Sequence, residues 1–193
     1  MTSFTTHYHT LDDIANAIRI CTQCQLHATR TNTVPGAGNP HADIFFLGEG
    51  PGAKEDEQGL PFIGRSGELL TRLLQDAGLL RDQVFITSLV KCRPPKNRNP
   101  LHAEIIACQP YLQAQLRVIQ PKIICTLGAP ATTTLLGIKQ PLSTIRGHWY
   151  SYHGIKLMPT FHPAYLLRSR SKIPLFQEDV ENMIREYTTM CSL

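Results

Sequence analysis

Residues 43–52, DIFFLGEGPG, run a short apolar strand straight into a glycine-rich turn. Ile44, Phe45, Phe46 and Leu47 form an apolar run too short for a helix, so the segment reads as a buried strand that stops at Gly48. Gly48, Gly50 and Gly52 let the backbone approach a ligand closely, and Pro51 stiffens the turn between them. With Ala53 the turn also fits a loose dinucleotide pattern, but the polar stretch 53–65, AKEDEQGLPFIGR, is expected to follow as a loop. A dinucleotide site needs a helix opening at once on the pyrophosphate, so that reading is set aside.

Outward from this strand, apolar runs and helical spacings alternate. Residues 83–90, QVFITSLV, and 122–127, KIICTL, read as further strands, and 145–161 as a hairpin turning at His153-Gly154 whose return strand is IKLMPTF. Helical spacing marks 10–20 behind a Thr10 cap, 66–78 between a Ser66 cap and Gly78, 101–119 after Pro100, a stretch after Gly128, and 174–190. The expectation is an α/β fold, a three-layer α/β/α domain spanning 1–193 with a central, mainly parallel four-stranded sheet. Ligands of such sheets bind beyond the carboxyl ends of the strands. That rule points to Gly48–Gly52, Ser88–Cys92, Leu127–Pro130 and Thr160–Pro163.

The 193 residues suffice for a core without staples, and 19 Lys and Arg against 15 Asp and Glu leave a net charge of +4. Mild basicity permits a nucleic-acid partner without requiring one. MTSFTTHYHT has neither a basic nor an apolar leader region, and no apolar run reaches membrane-spanning length, so a cytoplasmic monomer is expected. In a reducing compartment, paired cysteines bind metal or do redox chemistry more often than they form disulfides.

Four of the six cysteines are spaced for such a role: Cys21 and Cys24 as CxxC, then Cys92 and Cys108. Structural zinc, an iron–sulfur cluster, a redox CxxC or separate buried thiols all fit that spacing. Cys125 reads as a core thiol and Cys191 as a residue of the tail.

At the strand ends, Glu49 is placed to orient water and His162, in TFHP, to donate to developing negative charge. Phe62 suits stacking on a planar ligand or packing as an anchor, and Glu55 and Asp56 read as a solvated acidic face. Lys91, Arg93, Lys96 and Arg98 offer cations around Cys92. Pro163, Ala164, Tyr165, Leu166 and Leu167 followed by Arg168 make an apolar tip with cations beside it, as a wedge into stacked bases requires.

GEGPGAKED, LPFIGRSG, VKCRPP, PTFHPAYLLR and the four cysteines together resemble the uracil-DNA glycosylase superfamily, specifically its family 4 of iron–sulfur type. The resemblance implies a DNA repair hydrolase that cleaves the N-glycosidic bond of a deaminated base and leaves an abasic site. It implies a [4Fe–4S] cluster on Cys21, Cys24, Cys92 and Cys108, a water-linked Glu49 and a charge-stabilising His162. The base pocket would use Gly50, Pro51 and Gly52, Phe62 for stacking and Glu55 against the thymine methyl, and Lys91, Arg93, Pro163, Leu166, Leu167 and Arg168 would meet DNA. One position departs: Ser88 stands where the family usually has an asparagine that pairs with the uracil edge. A hydroxyl cannot present the two-point amide pattern, which leaves the preferred base open.

Overall fold

The computed structural model describes residues 8–192, so residues 1–7 of the stretch read above as lacking a leader lie outside it. Helix α1 (Leu11–Arg19) opens with Thr10 and Asp13 bonding each other's backbone N–H groups, a reciprocal cap that matches the expected start. The strands follow as β1 (Ala37–Gly38), β2 (Ile44–Gly48), β3 (Phe85–Ser88), β4 (Ile123–Leu127), β5 (Tyr150–Tyr152) and β6 (Ile155–Thr160). Between them lie α2 (Ala53–Gln58), α3 (Arg65–Asp76), α4 (His102–Ile119), α5 (Ala129–Leu136) and α6 (Leu142–Ile145), with α7 (Pro163–Arg168) and α8 (Ile173–Cys191) at the end.

The sheet runs β1-β3-β2-β4-β6-β5. Its four inner strands are parallel, as expected, and the short β1 and β5 add antiparallel edges. Both faces are covered. Ile44 and Phe46 of β2 face α3 and α8 with Leu70, Leu74, Phe176 and Met183, while Phe45 and Leu47 face α4 with Leu112 and Leu116. Burial on both sides is why β2 is continuously apolar rather than alternating. Helix α1 lies outside α4, with Ile14 and Ile18 against Ala114.

Two local expectations change. Helix α3 starts at Arg65 with Gly64 as its cap residue, not at Ser66. A helix also opens directly after the glycine turn: α2 occupies part of the expected loop 53–65. Its inward residues are Glu55 and Asp56, so acids sit where a periodicity search looks for apolar side chains. Both are satisfied by backbone N–H groups, Glu55 by Ile63 and Gly64 and Asp56 by Thr31. They are not a solvated face.

Three residues expected at a DNA surface are buried. Pro163 packs in the first turn of α7, and Leu166 is 0% exposed against the α3 and α8 side of the core. Lys91 is 1% exposed and points into the protein, where phosphate cannot reach it. Leu167 is half-buried against the same core, which leaves Tyr165 as the large apolar residue exposed on α7. Leu166→Ala is therefore expected to lower stability by about 2–5 kcal/mol. Tyr165→Ala, which loses a ring contact with Phe161 at 5.2 Å, should cost only about 0.5–1.5 kcal/mol. Urea denaturation of both variants checks the order; equal losses would contradict this placement of α7.

Candidate active site

The parallel register sets the strand ends side by side: Gly48 pairs with Ser88, Leu47 with Thr126, and Leu127 with Thr160. The residues just beyond them wall one cavity of about 220 Å³. This is below the about 300–1,000 Å³ of sites for drug-sized ligands and suits a single ring. Of the residues singled out above, Glu49, Gly50, Pro51, Gly52, Glu55, Phe62, Ser88 and His162 all line it.

Glu49 is the first residue after β2. Its Oε1 is buried and has no hydrogen-bond donor among the described residues. Burial raises the pKa of its carboxyl, because a charge is poorly solvated there. His162 lines the same cavity as the cap residue of α7, and its Nδ1 accepts the Ala164 backbone N–H at 3.1 Å. The neutral ring therefore carries its proton on Nε2. Burial, reinforced by the Arg168 charge and opposed by Glu55, pulls its pKa down to about 4. At neutral pH the site thus pairs a carboxylate that can hold water with an uncharged imidazole that can donate a hydrogen bond.

Phe62 lines the same cavity, its ring 5.6 Å from that of His162. Its φ of 50° is unusual for a bulky residue, so the surroundings must hold it. Glu55 Oε1 accepts Ile63 N–H at 2.9 Å and Gly64 N–H at 2.8 Å on one side, and Arg81 bonds the Pro61 carbonyl on the other. Gly48 supplies the space, since a Cβ there would sit 2.5 Å from Phe62 Cζ. Phe62 is at once a packing anchor and a cavity wall. Glu55 serves chiefly as the clamp that holds it.

Arg98, one of the cations read above around Cys92, also lines the cavity. Two bonds of 2.9 and 2.6 Å tie it to Glu104 at the start of α4, which fixes the proline-rich loop after Cys92. A sequence signal did exist: Glu104 is the third residue of that helix, where an acid bonds back to the Leu101 N–H, here at 2.7 Å. Arg93 is half-buried and donates to Asn97 at 2.7 Å, while Arg168 is exposed.

Cys21, Cys24, Cys92 and Cys108 wall a second cavity behind this loop, bordered by Arg30 and Tyr111. Cys125 lies in β4 and Cys191 ends α8, so both are outside it. N–H groups address two of the four sulfurs: Arg30 Nη1 lies 3.2 Å from Cys92 Sγ, and Lys91 N 3.3 Å from Cys108 Sγ. Such donors suit thiolates. Burial raises the Cys92 thiol and lifts Cys108 to about 11, so binding at these sulfurs must release protons. No three His, Cys, Asp or Glu among the described residues converge as a single-ion site, whereas four thiols share one cavity. The donor set fits an iron–sulfur group.

Known proteins match in the same regions. Residues 35–187 match the family model of the uracil DNA glycosylase superfamily. The type-4 uracil-DNA glycosylase of Thermotoga maritima is 46% identical over 165 residues, covering 83% of this chain and 85% of the relative. That of Archaeoglobus fulgidus is 39% identical over 189 residues, 94% and 93% of the two chains. A type-5 uracil-DNA glycosylase from Thermus thermophilus is 32% identical over 149 residues, 67% of this chain and 68% of its own. A family match that begins just before β1 and runs through the Glu49 turn, the Ser88 strand and His162 covers every wall of the cavity but Val34, and by it the chain belongs to the uracil DNA glycosylase superfamily.

Proposed function

We propose that this protein is a type-4 uracil-DNA glycosylase, one domain acting as a cytoplasmic monomer that removes uracil from DNA and leaves an abasic site. The observation that carries the reading is the pairing in one ring-sized cavity of Glu49, with its unpartnered buried oxygen, and a neutral His162 with its proton on Nε2. Among the described residues no helix is long and apolar enough to cross a membrane.

The target base leaves the stack before its bond is reached, at a cost of about a few kcal/mol. Tyr165, exposed on α7, occupies the vacated space, and Arg93 and Arg168 meet phosphates. The base enters against Phe62, with Ser88 and the Gly50–Gly52 backbone at its edge. As the glycosidic bond stretches, electrons move onto the base and positive charge onto the sugar. His162 Nε2–H donates to the base oxygen, and Glu49 orients the attacking water and offsets the sugar cation. Cys21, Cys24, Cys92 and Cys108 would hold a [4Fe–4S] cluster. It would fix the loop after Cys92 and the start of α4 and take no part in bond cleavage.

Glu49 acts ionised and its pKa is raised, so kcat/KM should fall with acid at a pH above the usual glutamate value of about 4.3. His162 is shifted the other way, to about 4, so Glu49 is the first of the two to gain a proton as the pH falls. Glu49→Gln should lower kcat by about 10²–10⁴ and abolish the acid limb, while His162→Gln should lower kcat by about 10²–10³ and leave the limb in place. A limb that moves with His162 and not with Glu49 would reverse the assignment of roles.

Ser88 favours a second reading, in which the preferred base is a different deaminated one. The hydroxyl makes one contact where an amide makes two, a difference of about 1–3 kcal/mol. Ser88→Asn should improve uracil release about tenfold relative to hypoxanthine and xanthine in matched oligonucleotides. No change in that ratio would show that position 88 does not read the base.

A further inference from the structure

Beneath the end of β3 that faces the cavity, three buried acceptors surround one side-chain nitrogen. Lys91 Nζ lies 2.5 Å from Thr87 Oγ1, 2.7 Å from the Ser88 carbonyl and 2.8 Å from Gln115 Oε1. The Thr87 hydroxyl gives its proton to the Pro35 carbonyl at 2.8 Å, so towards Lys91 it can only accept. Gln115 Nε2 donates to the same carbonyl at 2.6 Å, which turns its oxygen to Lys91. The cage thus matches the three donors of an ammonium.

The backbone of the same residue reaches the cysteine site. Its N–H points at Cys108 Sγ at 3.3 Å, its carbonyl accepts Val34 N–H at 2.8 Å, and Cys92 follows it in the chain. Lys91 therefore joins the cysteine cavity to the strand end that carries Ser88. A well-packed apolar residue at such a place is often as stable as a buried ion, so stability alone gives no reason for a lysine. What the amino group adds is direction: its bonds to Thr87, the Ser88 carbonyl and Gln115 fix that carbonyl relative to α4.

We propose that Lys91 is a positioning residue for base recognition, its buried side chain clamping Thr87, Ser88 and Gln115 so that the cysteine-bearing loop and α4 hold Ser88 in register with the cavity. This rests on the glycosylase reading and deepens it, because it gives the cysteine site a route to the base edge without any redox step. It also explains why Lys91 faces inward although its neighbours Arg93 and Lys96 are at least partly exposed.

The test is a double-mutant cycle on uracil release from a single-stranded oligonucleotide, with Lys91→Met and Ser88→Ala alone and combined. Lys91→Met should lower kcat/KM about tenfold or more, chiefly through KM, and retain the visible absorption of the unaltered protein. In the Ser88→Ala background the same change should cost less than about threefold, because its effect passes through Ser88. Equal losses in both backgrounds, or loss of the visible absorption in Lys91→Met, would overturn the proposal. Should Lys91→Met not fold, Thr87→Val, which removes one arm of the cage, takes its place in the cycle with the same expectations. Absence of uracil release by the unaltered protein would instead defeat the glycosylase reading itself, and this proposal with it.

Discussion

The parallel register of β3, β2, β4 and β6 is the constraint on which the site depends. Gly48 is level with Ser88, and Leu127 with Thr160, so the chain leaves the sheet at one height on all four strands. Glu49, Ser88 and His162 come from segments far apart in sequence and still reach one cavity. A slip of one residue on β2 would turn Phe45 and Leu47 to the wrong layer, so the core on both faces holds the register that the site needs.

The polar groups are then tuned by where this register leaves them. Burial shifts Glu49 up and His162 down, opposite directions from one cause, because it disfavours the charged form of each. The Ala164 N–H completes the arrangement by taking the Nδ1 lone pair of His162. Around this pair the walls are pinned rather than loosely packed. Glu55 and Arg81 grip the segment that carries Phe62, Arg98 and Glu104 grip the loop after Cys92, and Lys91 grips Ser88. Preorganised donors and walls of this kind require no rearrangement as charge develops.

Much of this was legible in the sequence, for physical reasons. Strands buried on both faces must be apolar runs, so DIFFLG, QVFITSLV and KIICTL stand out, and the strand-end rule then leads to Glu49, Ser88 and His162. What escaped was mostly polar burial. Helix α2 was hidden because its inward residues are carboxylates satisfied by backbone N–H groups. Lys91 was read as a surface cation because lysine is rarely buried, and only the acceptors from Thr87, Ser88 and Gln115 explain its place. In α7 the apolar tip was visible, but which of Tyr165 and Leu166 faces out depends on how a short helix docks on α3 and α8. Strand β1 has only Ala37 and Gly38, which carry no pattern at all.

The four cysteines line a cavity of their own, separate from the one at the strand ends. The most direct measurement is multiple-turnover release of free base from an oligonucleotide with a single deoxyuridine, using the protein with its native metal content. Hydrolysis by water held at Glu49 predicts many uracils released per protein and an alkali-labile abasic site in each product strand. Release that stops at one equivalent with the protein retained on the DNA, or no release despite binding, would contradict the account.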